Sequence, residues 1–222
     1  MQIDNFFQYV RIFDSYLSVI VISLLTITLS IKAVKQKKQT GEWSYIRLIL
    51  IGAFVSFCWL TIWEFLFAQT SIDRIISRDI FGINSQGFSI YNIGLAFIIT
   101  FGLTLVFYGN GWESLYYTPI LILFGMLAFH LFTGYSDWLR PYIYGAAFIS
   151  LLFLYFTAFR IRDNGSLGLA IMFTLAISVL ILPSLLGSSI PYLGTILNLA
   201  SNSFGLFFAT GYFKPFKKVG GV

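Results

Sequence analysis

Lys32-Ala33-Val34-Lys35-Gln36-Lys37-Lys38, followed shortly by Arg47, is a concentrated basic stretch set between two long apolar runs. Connections on the cytoplasmic side of a membrane collect Lys and Arg. The stretch therefore reads as a cytoplasmic loop. A chain that crosses a bilayer must do so alternately, so placing this one loop places every other segment.

The flanking runs decide the class. Of 222 residues, 58% are apolar, 19% aromatic and 10% charged. A soluble domain carries about 25% charged residues, so this chain has too little polar surface to solvate a globule of its size. A membrane-crossing helix needs roughly 20 mainly apolar residues. Seven such runs are present, at Tyr16–Ile31, Tyr45–Phe67, Ile90–Phe107, Leu115–Thr133, Pro141–Phe159, Leu167–Leu186 and Pro191–Phe208. The expectation is an all-α, polytopic membrane protein, a single seven-helix domain over residues 1–222 with no room for a soluble one.

Orientation follows by counting. With the first basic stretch inside, the inner side holds Lys32, Lys35, Lys37, Lys38, Arg47, Arg160, Arg162, Lys214, Lys217 and Lys218, and the outer side only Arg11, Arg74, Arg78 and Arg140. Three separate inner segments agree, which puts the N-terminus outside and the C-terminus inside the cell membrane. The net charge of +5 is thus accounted for by topology and by anionic lipid headgroups facing the lysines, with no call for nucleic acid. The first five residues lack a basic leader, so the first span is expected to stay as an anchor. An oligomer, or a partner membrane protein, is compatible with this plan.

Two further segments repeat apolar residues at helical spacing among charges. Ile3, Phe6, Phe7, Val10 and Phe13 predict a short interfacial helix over 3–13, and Ile72, Ile75, Ile76 and Ile80 a second over 72–80, in the longest outer connection. A turn-rich piece, 82–87, follows the second, and a basic tail closes the chain over 213–222. Ile22-Ser-Leu-Leu25 and Ile149-Ser-Leu-Leu152 are alike, a faint sign of a three-plus-one-plus-three repeat.

The chemistry is defined mostly by what the sequence lacks. No lysine lies inside a span, so a retinal Schiff base has no amine. One histidine cannot supply a bis-histidine haem or a multi-histidine iron site. Cys58 stands alone in an apolar run, without an intrachain disulfide partner. No GxSxG, Walker or HExxH motif occurs, and Asp73 and Asp79 are no diphosphate–magnesium cluster. The expectation is no cofactor, no metal, and a chain leaning away from enzymes.

Two groups of residues carry the functional expectation. Gly194, Asn198, Ser201, Asn202 and Gly205 step along one face of the seventh span, which is otherwise Leu and Phe. Asn198, Ser201 and Asn202 on that face are candidates for lining a solute or ion path; the competing reading is helix packing through interhelical hydrogen bonds. Unpartnered amides in hydrocarbon are costly, so the face is expected to point inward, with Thr174 and Ser178 as candidate partners. Glu64, Asn92 and His130 lie at similar depth near outer span ends and form a candidate polar cluster; ordinary reach to the headgroups competes with that role. Pro119 and Pro183 sit near span ends, where helix termination explains them as well as a hinge does. The leading expectation is a small-solute or ion transporter with its path beside the seventh helix. The alternative is a receptor-like sensor or scaffold subunit acting through partner proteins.

Overall fold

A computed structural model of the chain describes residues 2–70, 72, 90–135, 137–186 and 192–216. Among these residues there is no strand. The order is α1 (Gln2–Thr40), α2 (Tyr45–Gln69), α3 (Ile90–Gly109), a single 3-10 turn (Glu113–Leu115), α4 (Thr118–Thr133), α5 (Leu139–Ile161), α6 (Asn164–Leu186) and α7 (Leu193–Ala209). Five segments are long and apolar enough to cross a membrane: Gln8–Thr40, Tyr45–Phe67, Asn92–Gly109, Glu113–Thr133 and Leu139–Ile161. Asn164–Val179 and Leu193–Ala209 are shorter apolar helical segments.

Helix α1 departs from the sequence expectation at both ends. Residues 3–13 are helical from Gln2 onward but run without a break into the first apolar span. The basic stretch Lys32–Lys38, read as a loop, is helix as well. The reason is local. Lys, Gln and Ala are good helix formers, and no breaker interrupts them. The helix stops only at Gly41, whose φ of 79° is left-handed and whose N–H bonds the Lys37 carbonyl at 2.8 Å. The loop proper is therefore confined to residues 41–44. The expected helix over 72–80 lies outside the described residues apart from Ile72, as do the turns 82–87 and 187–190, Pro191, Lys217 and Lys218.

The chain divides into two compact units, Met1–Leu25 with Leu151–Val222, and Thr26–Ser150. In the second unit the end of α1 packs antiparallel to α2. Thr26 Oγ1 donates to the Phe54 carbonyl at 3.2 Å, and Arg47 Nη1 to the Lys32 carbonyl at 2.7 Å. Gly52 of α2 lies under the Phe101 ring and Gly94 of α3 against Leu60, so α2 and α3 also run antiparallel and close. The core gathers Ala96, Leu123, Leu139 and Ile143. A polar chain crosses it: Thr100 Oγ1 lies 2.7 Å from the Tyr142 hydroxyl, which donates to the Pro119 carbonyl at 3.1 Å. Pro119 itself sits in the first turn of α4, where its missing N–H costs no helical bond. At the basic end, Lys37 stacks over Trp43 with Nζ 4.4 Å from the ring centre, and Tyr45, Tyr108 and Tyr116 are neighbours.

The first unit holds the start of α1, the end of α5, α6 and α7. Its core includes Val21, Leu25, Leu154, Ala158, Ala170 and Met172. Between α5 and α6 the chain turns at Arg162, and Asp163 caps α6. Its Oδ1 accepts from the Gly165 N–H at 3.2 Å, and its Oδ2 from the Ser166 N–H at 2.7 Å and hydroxyl at 2.6 Å. Partial burial pushes the Asp163 carboxyl up, but these three bonds outweigh it and hold it below its ordinary value of 3.8. Asn164 then clasps the tail, donating to the Phe216 carbonyl at 3.0 Å and accepting from its N–H at 2.8 Å.

Asp163→Ala is expected to cost about 1 kcal/mol at neutral pH, the usual worth of an N-cap. The folded carboxyl is depressed, so its contribution is complete above the ordinary carboxyl value and lost as pH falls through the lower folded one. Thermal unfolding of both proteins along a descending pH series should show their difference closing in that acid window. A difference that is constant with pH would dissociate the cap from the carboxylate.

Candidate functional site

The polar face of α7 meets the first turns of the apolar part of α1. In α7, Asn198 and Asn202 are one helical turn apart, and so are Asp14 and Ser18 in α1. The two pairs stand opposite each other. Asn198 Nδ2 donates to Asp14 Oδ2 at 2.8 Å and to Ser18 Oγ at 3.0 Å. Asn202 Nδ2 donates to Ser18 Oγ at 2.7 Å and, at a longer 3.4 Å, to Asp14 Oδ1. Ser18 completes the set by donating to the Asp14 backbone carbonyl at 2.8 Å. A further turn along, Gly205 faces Val21, Leu25 and Met172, so the seam closes onto apolar packing.

This arrangement uses its hydrogen-bond donors fully. All four amide N–H groups are spent, and Ser18 Oγ accepts two bonds and gives one. Asp14 is 6% exposed and Asn202 5%, while Asn198 is half-buried and forms the open side of the cluster. Every group facing the carboxylate is a neutral donor. Among the described residues Asp14 has no basic partner; Arg11, one turn earlier, is exposed. What the site offers chemically is one buried carboxyl group beside a hydroxyl and two carboxamides, and each carboxamide carries an oxygen as well as the nitrogen now in use.

The α7 face expected from sequence is inward: Ser201, Asn202 and Gly205 are buried. Its partners differ from those expected. Thr174 bonds the Tyr155 hydroxyl and the Ala170 carbonyl, and Ser178 the Thr174 carbonyl, so both are engaged elsewhere. The partners come from α1, and Asp14 was not among the sequence candidates. The available signal was a carboxylate with a serine at i+4 on the edge of an apolar run, matching the i, i+4 spacing of the two asparagines.

Of the outer cluster, Glu64 and Asn92 are half-buried on α2 and α3, and His130 is buried in the last turn of α4. His130 Nδ1 is 3.1 Å from the Tyr135 carbonyl. Among the described residues no hydrogen bond or ion pair joins Glu64 to His130. The described residues also contain no group of three His, Cys, Asp or Glu side chains placed to hold a metal. No protein-family model, curated protein or solved structure matches the chain.

Proposed function

We propose that the chain is a multi-pass membrane protein that moves a small solute or ion across the bilayer along a path beside α7, with Asp14, Asn198 and Asn202 at its centre. The observation that carries this reading is the buried Asp14 carboxylate held only by neutral donors. A carboxylate at the centre of a membrane-embedded helix costs about 2.5–3.5 kcal/mol on insertion scales, and Asp14, at the edge of its apolar run, bears a part of that cost. Apolar side chains would hold α1 to α7 at no such cost, so packing alone does not account for the charge.

Membrane insertion and direction belong to the same proposal. Support comes from the five long apolar segments and from helix directions. The pairing of Asp14 with Asn198 and of Ser18 with Asn202 makes α1 and α7 parallel, as the first and seventh crossings of an alternating chain must be. At one end of α1 and α2, Lys37 lies over Trp43 and Arg47 reaches the Lys32 carbonyl, and Tyr45, Tyr108 and Tyr116 are neighbours, in the manner of a cytoplasmic interface. The lysines there and in the tail would face anionic headgroups. Single cysteines in a Cys58→Ala background test the direction. Gln39→Cys is expected to react with an impermeant thiol reagent only from the cytoplasm, and Ser85→Cys only from outside; the reverse pattern overturns the orientation.

Transport itself is tested in proteoliposomes with a panel of amino acids, sugars and inorganic cations. Asp14→Asn keeps the side-chain volume and removes the charge. Flux per folded molecule is expected to fall at least about tenfold, a transition-state change of about 1.4 kcal/mol, while the protein still folds. A receptor-like or scaffold role is the second reading, favoured by the saturation of the cluster's donors. It predicts no flux for any solute, with Asp14→Asn altering stability alone.

A further inference from the structure

We propose that Asp14, Ser18, Asn198 and Asn202 form a binding site for one monovalent alkali cation. This deepens the transport reading and rests on it for the cation's purpose, though not for its binding.

The starting point is the charge balance of the cluster. A buried charge is normally paired, neutralised or bound to a metal ion. Asp14 is 6% exposed, and α6 and α7 bring no charged side chain to it among the described residues. On α1 the nearest cation is Arg11, which is exposed, and Arg160 at the end of α5 lies over Phe156. Amide N–H groups stabilise the anion without cancelling it.

The donor set specifies the kind of cation. A carboxamide turned over about its last bond exchanges nitrogen for oxygen with almost no change in shape. In the present arrangement both nitrogens point at Asp14 and Ser18. Turned over, Asn198 and Asn202 present Oδ1 to the same point, joining both carboxylate oxygens and the released Ser18 hydroxyl. The result is an all-oxygen shell around one negative charge. Oxygen donors suit hard cations and not copper or zinc. A single negative charge is cancelled by a monovalent ion, whereas a divalent ion would leave a net positive charge in hydrocarbon. Half-buried Asn198 gives the ion its way in, and Asn202 closes the inner side. Binding and release thus correspond to two amide orientations: nitrogen inward on the bare carboxylate, oxygen inward on the ion.

Sodium is the probe, titrated against choline at constant ionic strength and pH with the purified full chain in detergent. The melting temperature of the wild type should rise with sodium, since a ligand of the folded state stabilises it by mass action. Asp14→Asn should lose this response. Ser18→Ala should need about tenfold more sodium for the same shift, about 1.4 kcal/mol of binding, and Arg11→Gln should respond as the wild type does. Equal effects of sodium and choline, an undiminished response in Asp14→Asn, or a stability that follows pH and ignores sodium would each overturn the site. Where Asp14→Asn fails to fold, Ser18→Ala and Asn198→Ala decide by the same titration, and wild-type affinity in both overturns it. Sodium binding without flux of any solute refutes transport and leaves this site standing; flux without a sodium-specific rise in melting temperature does the reverse.

Discussion

Asn202→Leu is expected to lower the unfolding free energy by about 1–3 kcal/mol, the cost of leaving buried polar groups without their partner. The substitution removes both N–H groups that Asn202 gives to Ser18 and Asp14 and leaves the carboxylate with one amide donor. An ordinary interhelical bond in a membrane protein averages about 0.6 kcal/mol, so the size of the loss separates a coupled polar cluster from plain packing. The asymmetry of buried polar groups gives a second arm. Combining Asp14→Leu, Asn198→Leu and Asn202→Leu removes donors and acceptor together, and should recover much of the stability that the single change costs. Denaturant titrations of the single and combined variants measure this. Losses that simply add would mean that the four side chains do not act as a unit.

Gly168→Leu should be damaging in the same unit for a reason that involves no polarity. A Cβ built on Gly168 of α6 collides with Cδ2 and Cε2 of the Phe208 ring on α7. Forcing extra carbon into a packed contact costs about 1–3 kcal/mol, and here the ring must leave its place. Since α6 and α7 run antiparallel across this contact, the insertion pries at the helix that carries Asn198 and Asn202. Phe208→Ala added to Gly168→Leu should restore most of the loss by vacating the space. A double variant less stable than Gly168→Leu alone would show that the ring is not what Gly168 accommodates. The comparable position in the other unit, Gly52, should be more tolerant of a leucine, because its Cβ would stand 2.9 Å from the far edge of the Phe101 ring.

Much of the helical layout was legible because it depends on short-range properties. Apolar run length marks each long helix, and Tyr45 and Thr133 are element boundaries in both sequence and structure. The basic stretch Lys32–Lys38, which reads as a cytoplasmic connection from its lysines, is helix. Charge fixes where a segment sits relative to water, while the backbone responds to breakers, and the first after Lys38 is Gly41. The inward direction of Asn198 and Asn202 followed from the cost of unpartnered amides, a property of the residues themselves. The identity of their partner did not, because Asp14 lies 184 residues from Asn198 and nothing local links them. Thr174 and Ser178 were nearer in sequence, but each has a hydroxyl that reaches the carbonyl four residues back in its own helix.

That separation has a consequence for how the protein is made. Chains emerge from the ribosome at about 5–20 residues per second, so Asp14 waits roughly 10–40 s for Asn198 to be synthesised. Throughout that interval the first helix must hold a carboxylate whose amide donors do not yet exist. The clasp can close only once α7 has been made: every nascent or truncated chain lacking α7 carries Asp14 without these donors.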